Sequence, residues 1–344
     1  MGKMKLMFFT LIIGYSAAFS NLVVAETHWN IQAVDEDGYG THPSLYNSIK
    51  VSVEGIVLNR PDYMLDSTPD YDNPEQSLGG MWQIYIQGDT NDHAGTVVWM
   101  GQNYDNVWGG SGMYPDTNWT YELYRLTHDP CTAYEIRPGD KIMVTGLLKF
   151  YSGKTNINER HNTDPDNDVK IELIEAGVGL PQPEVVTLSE LKDADDNYIF
   201  DHTRQTGCEY YQARLIRIND VNIVDCGNWG PGDPGEFQTL TIRDSSGRTL
   251  PLKAGIGPGF SEFECPTGQI AVIGILDQES SDMWVCKDGY RVWVVNYDGN
   301  EQVLTDFGFF KNRLPGDINL DGKVDLLDFS EFANNWLDEH PEGT

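Results

Sequence analysis

The sequence predicts a mainly β protein made of two tandem small β-barrels and a short C-terminal calcium-binding loop followed by a helix. A strand phrase that occurs twice, KIMVTGLL at 141–148 and QIAVIGIL at 269–276, predicts two similar domains. Short alternating strands surround each copy, which favours small barrels. The segment DINLDGKVDLLD at 317–328 predicts the calcium loop.

The repeated phrase has the frame x-I-x-V-x-G-[LI]-L. A proline, Pro138 or Pro266, stands three residues before each copy. Alternating β-branched residues favour a strand, and a glycine in mid-strand is typical of a strand that bends around a small barrel. Each phrase is therefore predicted to be a curved strand of its own barrel.

Each phrase is accompanied by the strands needed for a five-stranded unit. The first unit has KVSVEGIVL at 50–58, a hairpin at 81–101 and TNINE at 155–159, and the second has YQARLIRI at 211–218, a hairpin at 237–254 and YRVWVVNY at 290–297. We therefore expect one barrel domain at 26–180 and a second at 206–310. A linker at 181–205 would join them and contain a short helix that begins at Thr187 or Ser189.

The N-terminus is typical of a secretory signal peptide over residues 1–25. Lys3 and Lys5 precede an apolar run, and Val23 and Ala25 stand at the small-residue positions of a cleavage site. A membrane anchor is the competing interpretation, but the run is short and polar sequence follows it. We expect an exported protein, extracellular, on the cell surface or periplasmic, with no membrane span once the signal is removed.

The charge balance argues against nucleic acid as a partner. The formal net charge is −30, and residues 61 to 124 contain no Lys or Arg. Binding to a phosphate backbone depends on such residues, so DNA, RNA and anionic membranes are disfavoured.

The five cysteines are unevenly spread. One lies in the first half, and four lie in the predicted second domain: Cys131, then Cys208, Cys226, Cys265 and Cys286. In an exported protein the four can form two bridges in three pairings, and free buried thiols are the alternative. The sequence leaves the pairing open.

The first domain contains an aromatic-rich insertion at 102–124. Its aromatic residues alternate with Asn, Asp and Gly, which suits a neutral polar ligand such as a polysaccharide, and they are Tyr104, Trp108, Tyr114, Trp119, Tyr121 and Tyr124. The alternative is that these rings pack the insertion onto the barrel. Both interpretations stay open at this point.

The C-terminal loop has the residue spacing of a calcium site. Oxygen-bearing residues fall at positions 1, 3, 5, 9 and 12, Gly322 permits the bend at position 6, and Lys323 offers its backbone carbonyl at position 7. The predicted Ca²⁺ ligands are Asp317, Asn319, Asp321, Lys323, Asp325 and Asp328.

An apolar stripe follows this loop on a short predicted helix. A segment this small cannot bury its own stripe, so we expect the stripe to dock on another surface. The predicted docking residues are Leu326 and Leu327 near the end of the loop and Phe329, Phe332, Trp336 and Leu337 on the helix.

The sequence contains no recognisable catalytic motif. The histidines form no HExxH pattern, and there is neither a GxSxG elbow nor a P-loop. Acid pairs are everywhere in so acidic a chain and carry little information. A non-catalytic role is therefore favoured.

The strand order and the phrase GDKIMVTGLLKFYSGKTNINE resemble the bacterial secreted OB-fold family over about residues 45 to 175 and 205 to 298. In the second copy CPTGQ replaces PGDK. The resemblance implies tandem barrels that occur in multiple copies or beside extracellular hydrolases.

The segment at 314–338 resembles one half of a type I dockerin, which normally has two such segments. This resemblance implies calcium-dependent attachment to a cohesin-like or cell-surface protein, in the context of polysaccharide breakdown.

These observations lead to one functional expectation and two alternatives. The leading expectation is an exported non-catalytic binding or scaffold protein with a calcium-dependent docking tag. The first alternative is an enzyme or accessory protein in extracellular polysaccharide degradation, which the dockerin resemblance implies. The second is a nuclease-associated OB-fold protein that binds nucleic acid, which the missing positive charge disfavours.

Overall fold

The computed structural model describes residues 23–61, 81–106, 110, 112–230, 239–257, 259–295, 297 and 303–304. Within these residues the protein is mainly β and contains two closed five-stranded barrels, which confirms the predicted fold class for the barrel region. The strand arrangement fits tandem OB-like domains. No helix in this part of the chain has the length and apolarity needed to cross a bilayer.

The first barrel consists of strands β2 to β6, flanked by β1 and β7. The elements are β1 (Val23–Ala25), α1 (His28–Ile31), β2 (Lys50–Val57), β3 (Met81–Gln87), β4 (Gly95–Gly101), α2 (Asp116–Thr127), β5 (Lys141–Tyr151), β6 (Lys154–Asn158) and β7 (Lys170–Glu175). Around the barrel the order is β2-β3-β4-β6-β5, and β5 pairs with β2 to close it. The β4–β6 pair is parallel, and the other barrel pairs are antiparallel.

The second barrel repeats this order. Its elements are β8 (Glu184–Val186), α3 (Leu188–Leu191), α4 (Gly207–Tyr210), β9 (Leu215–Ile223), β10 (Thr239–Arg243), β11 (Thr249–Ala254), α5 (Gly259–Glu262), β12 (Ile270–Gln278), β13 (Tyr290–Val294) and β14 (Val303–Leu304). The order is β9-β10-β11-β13-β12, and β12 closes onto β9. The repeated sequence phrase lies on β5 in one barrel and on β12 in the other.

The glycine of each phrase lets the fifth barrel strand approach the fourth. A Cβ added at Gly146 would lie 2.6 Å from Cγ2 of Ile157 on β6. A Cβ added at Gly274 would lie 2.3 Å from the carbonyl oxygen of Trp293 on β13. The same packing requirement therefore explains the glycine in both copies.

The predicted linker at 181–205 is part of the second domain. Strand β8 pairs in parallel with β9, and Val186, Leu188 and Leu191 are buried in the core of the second barrel. Thr187 begins α3 and forms a capping box with Glu190, as one of the two expected N-caps. In sequence, a short strand and a single helical turn resemble a linker, because so few positions show no periodic apolar pattern.

One disulfide joins Cys226 to Cys265 in the second domain. Cys131 is exposed, and Cys208 and Cys286 are buried as free thiols. The sequence left two alternatives for the four cysteines of the second domain, disulfides or free buried thiols. Each holds in part, because two of these cysteines form a bridge and two are buried thiols.

The two barrels pack on each other through a shared apolar cluster. The first barrel contributes Leu58, Tyr85 and Val97, and the second contributes Ala213, Leu215, Ile275, Trp293 and Val295. Polar contacts add to the interface: the Leu215 amide donates to Gln87 Oε1 at 2.9 Å, and the Gly95 amide donates to the Gln212 carbonyl at 3.2 Å. The described barrels are thus joined along a surface that combines apolar packing with polar contacts.

Candidate functional site

The face that OB-like barrels use for ligands is covered in the first domain. Such barrels bind oligonucleotides and oligosaccharides on the outer face of their second and third strands, which here are β3 and β4. On that face Tyr85 pairs across the strands with Val97, and both are almost fully buried against the second barrel. The usual surface of the first barrel is therefore part of the interface between the domains.

A buried ion pair closes the same face. Lys154 at the start of β6 places its ammonium 2.7 Å from Oδ1 of Asp277 on β12, and Arg291 lies 2.9 Å from Oδ2 of the same carboxylate. Burial alone would raise the pKa of Asp277, but Lys154 and Arg291 outweigh it and lower the pKa to about 2. Both oxygens of the carboxylate are therefore used within the protein.

The predicted aromatic ligand platform does not form one exposed surface. Tyr104, Tyr114 and Trp119 are buried in the core of the first domain, whereas Tyr121 and Tyr124 are exposed on α2. Trp108 lies outside the described residues. Of the two sequence interpretations, packing onto the barrel accounts for the three buried rings, because α2 is the helix between the third and fourth barrel strands and covers the barrel there.

A buried carboxylate cluster lies under α2. Oxygens of Glu122, Glu159 and Asp168 come within 4.8 Å of one another, which resembles a metal site. The Arg125 guanidinium, however, contacts all three carboxylates through Nη2, with Glu159 at 3.3 Å and Asp168 at 3.9 Å. The position of a cation is thus occupied by arginine, and the cluster fixes α2 to the barrel.

An open groove lies on one rim of the first barrel. It has a volume of about 500 Å³, and its lining residues come from the segment before β2, from β5 and from the chain after β6. They are Tyr39, Gly40, Leu45, Tyr46, Leu148, Lys149, Phe150 and Arg160. The size falls within the range of small-molecule sites.

Aromatic rings form the walls of this groove. Tyr46 is 79% exposed, so its ring offers a face to a ligand. The rings of Tyr39 and Phe150 lie 6.1 Å apart at a tilt of 52°. Hydrogen bonds from Tyr46 Oη to the Gly40 carbonyl and from Tyr39 Oη to the Trp284 carbonyl, each 3.1 Å long, hold the two tyrosines in place.

Two cations lie beside these rings. Lys149 Nζ donates to His161 Nδ1 at 2.9 Å. Burial and the neighbouring Arg160 guanidinium lower the pKa of Lys149, and burial lowers the pKa of Arg160. In the described part of the chain neither side chain forms an ion pair with a carboxylate.

The backbone that carries Arg160 and His161 is unusual. These two consecutive residues lie shortly after β6, and both have left-handed conformations, with φ of 51° and 57°. Non-glycine residues adopt this region at a cost, and such positions are typical of functional sites. The turn places Arg160 in the groove and His161 behind it.

A layer of buried residues supports the groove from behind. The His161 ring stacks on Tyr104 with centroids 5.4 Å apart and meets the Trp99 ring edge-on at 5.0 Å. Tyr104 Oη in turn donates to Glu159, whose pKa burial raises to about 7 against the opposing effects of Tyr114 and Arg125. Glu159 is fully buried.

The predicted calcium ligands and docking stripe lie outside the described residues. The same holds for the predicted signal peptide up to residue 22, whereas its last three residues form β1 and pair in parallel with β2. These predictions therefore remain predictions.

No family model matches the sequence, and no curated protein matches it.

Sequence reasoning missed the groove because its parts are far apart in the chain. Gly40 is more than a hundred residues from Phe150 and Arg160 and meets them only in the folded domain. One signal was available: YSGK at 151–154 is a tight turn between two barrel strands, which places the ends of both strands on one rim.

Proposed function

We propose that the protein is an exported, non-catalytic binding protein whose two joined barrels hold a saccharide in the groove of the first barrel. The observation that carries this proposal is the groove itself, in which the exposed ring of Tyr46 faces a cavity with polar side chains at its edge. Aromatic faces combined with hydrogen-bond donors suit sugar rings, which present both C–H faces and hydroxyl edges. The joined barrels supply a rigid base for such a site.

The experiment compares two exposed tyrosines. Tyr46→Ala removes the groove ring, and Tyr121→Ala removes a similarly exposed ring from α2, outside the groove. Affinity electrophoresis of wild type and both variants through gels that contain neutral or acidic polysaccharides is expected to show retardation that Tyr46→Ala alone abolishes. If Tyr121→Ala abolishes the retardation instead, the binding site lies on the α2 surface. If the wild type itself is not retarded, the proposal is overturned.

The same panel tests the enzyme alternative. Release of reducing ends from any polysaccharide by the purified protein would favour a role as an enzyme. Binding of single-stranded DNA that weakens steeply with salt would favour the nucleic-acid alternative. The covered outer face of β3 and β4 supports neither, because that face is used for packing.

We further propose that the C-terminal segment binds Ca²⁺ and attaches the protein to a cohesin-like or cell-surface partner. The support is the ligand spacing in the sequence. Calorimetric titration should find about one bound Ca²⁺ in the mature protein and none in the Asp317→Ala/Asp321→Ala double variant. Equal behaviour of the two proteins would remove the docking proposal and leave the groove proposal untouched.

Export is proposed from the N-terminal sequence and is tested by the mature N-terminus. Mass spectrometry of protein secreted by a bacterial host is expected to show a chain that begins at Glu26. Recovery of the protein only in the cell interior with its N-terminus intact would contradict export.

A further inference from the structure

We infer that the groove is specific for a saccharide unit that carries a single carboxylate, held by Lys149 and Arg160. This inference rests on the proposed function, because it assumes a sugar ligand, and it adds a charge requirement to that ligand. The predicted ligand from the sequence was a neutral polysaccharide, and the groove has a cationic edge that the sequence did not show.

The lining residues of the groove include two cations and no carboxylate. In a chain of net charge −30, a Lys and an Arg that line the same groove without a carboxylate partner among the described residues are unexpected. Of the carboxylates near Tyr39, Asp35 accepts the Tyr39 amide at 2.9 Å, Asp282 accepts the Trp284 amide at 2.9 Å, and Asp37 lies 3.4 Å from Lys287. An anion bound in the groove would relieve the repulsion between the two cations.

Two backbone carbonyls fix the orientation of the Arg160 side chain. Its Nε donates to the Leu148 carbonyl at 2.9 Å, and its Nη2 donates to the Ser44 carbonyl. These bonds come from two sides of the groove and fix the guanidinium plane. A fixed guanidinium loses little entropy on binding and donates well to a carboxylate, which is the usual role of a preorganised arginine.

The small number of cations in the groove limits the charge of the ligand. A polyanion such as a nucleic acid needs a row of cations, and its affinity depends on how many phosphates are neutralised. Among the groove's lining residues only Lys149 and Arg160 are cationic, and the net charge of −30 repels a highly charged chain. One carboxylate on an otherwise neutral saccharide fits both conditions.

The test uses a matched pair of ligands on the full chain. One is an oligosaccharide with a single glucuronate branch, and the other is the same oligosaccharide after reduction of the carboxylate to the alcohol. Calorimetry is expected to show that wild type binds the acidic form at least about tenfold more tightly, because a charge-assisted hydrogen bond is lost with the reduced form.

Two variants locate the preference in the groove. Arg160→Gln and Lys149→Gln should each lower the preference for the acidic ligand about tenfold or more and leave binding of the neutral form nearly unchanged. The matched controls are Arg243→Gln and Lys170→Gln, which remove the same charges from exposed positions on β10 and β7 and should keep the preference. Lys149→Gln preserves the backbone contacts of Arg160, so it remains informative if Arg160→Gln is unstable.

The outcomes separate this inference from the proposed function. Equal affinity of wild type for both ligands would overturn the charge requirement and leave saccharide binding in place. A preference that survives both groove variants would also overturn it. Tight, salt-sensitive binding to heparin or single-stranded DNA in place of the single-carboxylate ligand would show a polyanion site, and the absence of any saccharide binding would overturn both proposals.

Discussion

Lys154 and Asp277 belong to different barrels, and their charged atoms lie 2.7 Å apart in a region where the Asp277 side chain is 1% exposed and the Lys154 side chain 9%. A buried pair of this kind is costly to break, because the remaining charge has lost both its partner and its water. The pair therefore makes separation of the barrels unfavourable.

Replacement of Asp277 by asparagine tests this statement. We expect Asp277→Asn to lower the free energy of unfolding by about 3 kcal/mol, at the lower end for a broken buried pair because Glu279 remains 3.7 Å from Lys154. Urea denaturation measures the change. The control is Lys141→Met, which breaks the more exposed Lys141–Glu54 pair and should cost less than about 1 kcal/mol; equal losses would contradict the argument.

Glu209 predicts a pH dependence of stability. Burial raises its pKa from an ordinary value of 4.5 to about 7, against the opposing effects of Tyr290, whose hydroxyl donates to it, and of Arg204. Glu209 binds its proton more tightly in the folded state than in the unfolded state. Its contribution to the free energy of unfolding is therefore complete below pH 4.5 and is lost as the pH rises through 7. The contribution is at most about 3 kcal/mol.

The measurement is the free energy of unfolding of wild type and Glu209→Gln between pH 4.5 and 7. The variant should lose less stability than wild type across this range, because it has no proton to release. The exposed replacement Glu172→Gln on β7 should follow wild type. A parallel course of all three curves would mean that Glu209 does not titrate in this range.

The disulfide between Cys226 and Cys265 closes a separation of 39 residues, for which chain entropy predicts a stabilisation of about 4 kcal/mol. The Cys226→Ser/Cys265→Ser double variant should therefore unfold at clearly lower denaturant concentration. Reducing agent should have the same effect on wild type and little effect on this variant. Cys131→Ser, at an exposed free thiol, serves as the control and should leave the midpoint unchanged.

The mid-strand glycines predict unequal costs for the same substitution. Gly274→Ala would place a Cβ 2.3 Å from a backbone oxygen, whereas Gly146→Ala would place one 2.6 Å from a side-chain methyl group. Backbone yields less than a side chain, so Gly274→Ala should be the more destabilising, with both in the range of about 1–3 kcal/mol for overpacking. Thermal unfolding ranks the two, and the opposite order would contradict this account of the barrel closure.

The strands of both barrels could be predicted from the sequence because their apolar residues alternate and because a phrase recurs. The frame around Gly146 and Gly274 identified the fourth strand of each barrel, and Thr187 was one of two expected helix starts. Local pattern determines these features, so a local analysis finds them.

The features that depend on distant residues could not be predicted. Tyr85 and Val97 look like ordinary strand residues, and only the second barrel shows that they form an interface. Tyr104 and Trp119 suggested a ligand surface by composition, but composition does not distinguish a ring on a surface from a ring under a helix. Arg160 and Lys149 meet across the β5–β6 hairpin, and the groove they share is completed only by the distant segment that contains Tyr39 and Tyr46.

The covered face of β3 and β4 has a mechanical consequence under the proposed function. A ligand held on the first barrel and an attachment segment beyond the second would place the surface between the barrels in the path of any pulling force. That surface combines the Lys154–Asp277 ion pair with a buried apolar cluster, so both charge and packing oppose its separation. The second barrel would then serve as the rigid spacer through which tension reaches the cell surface.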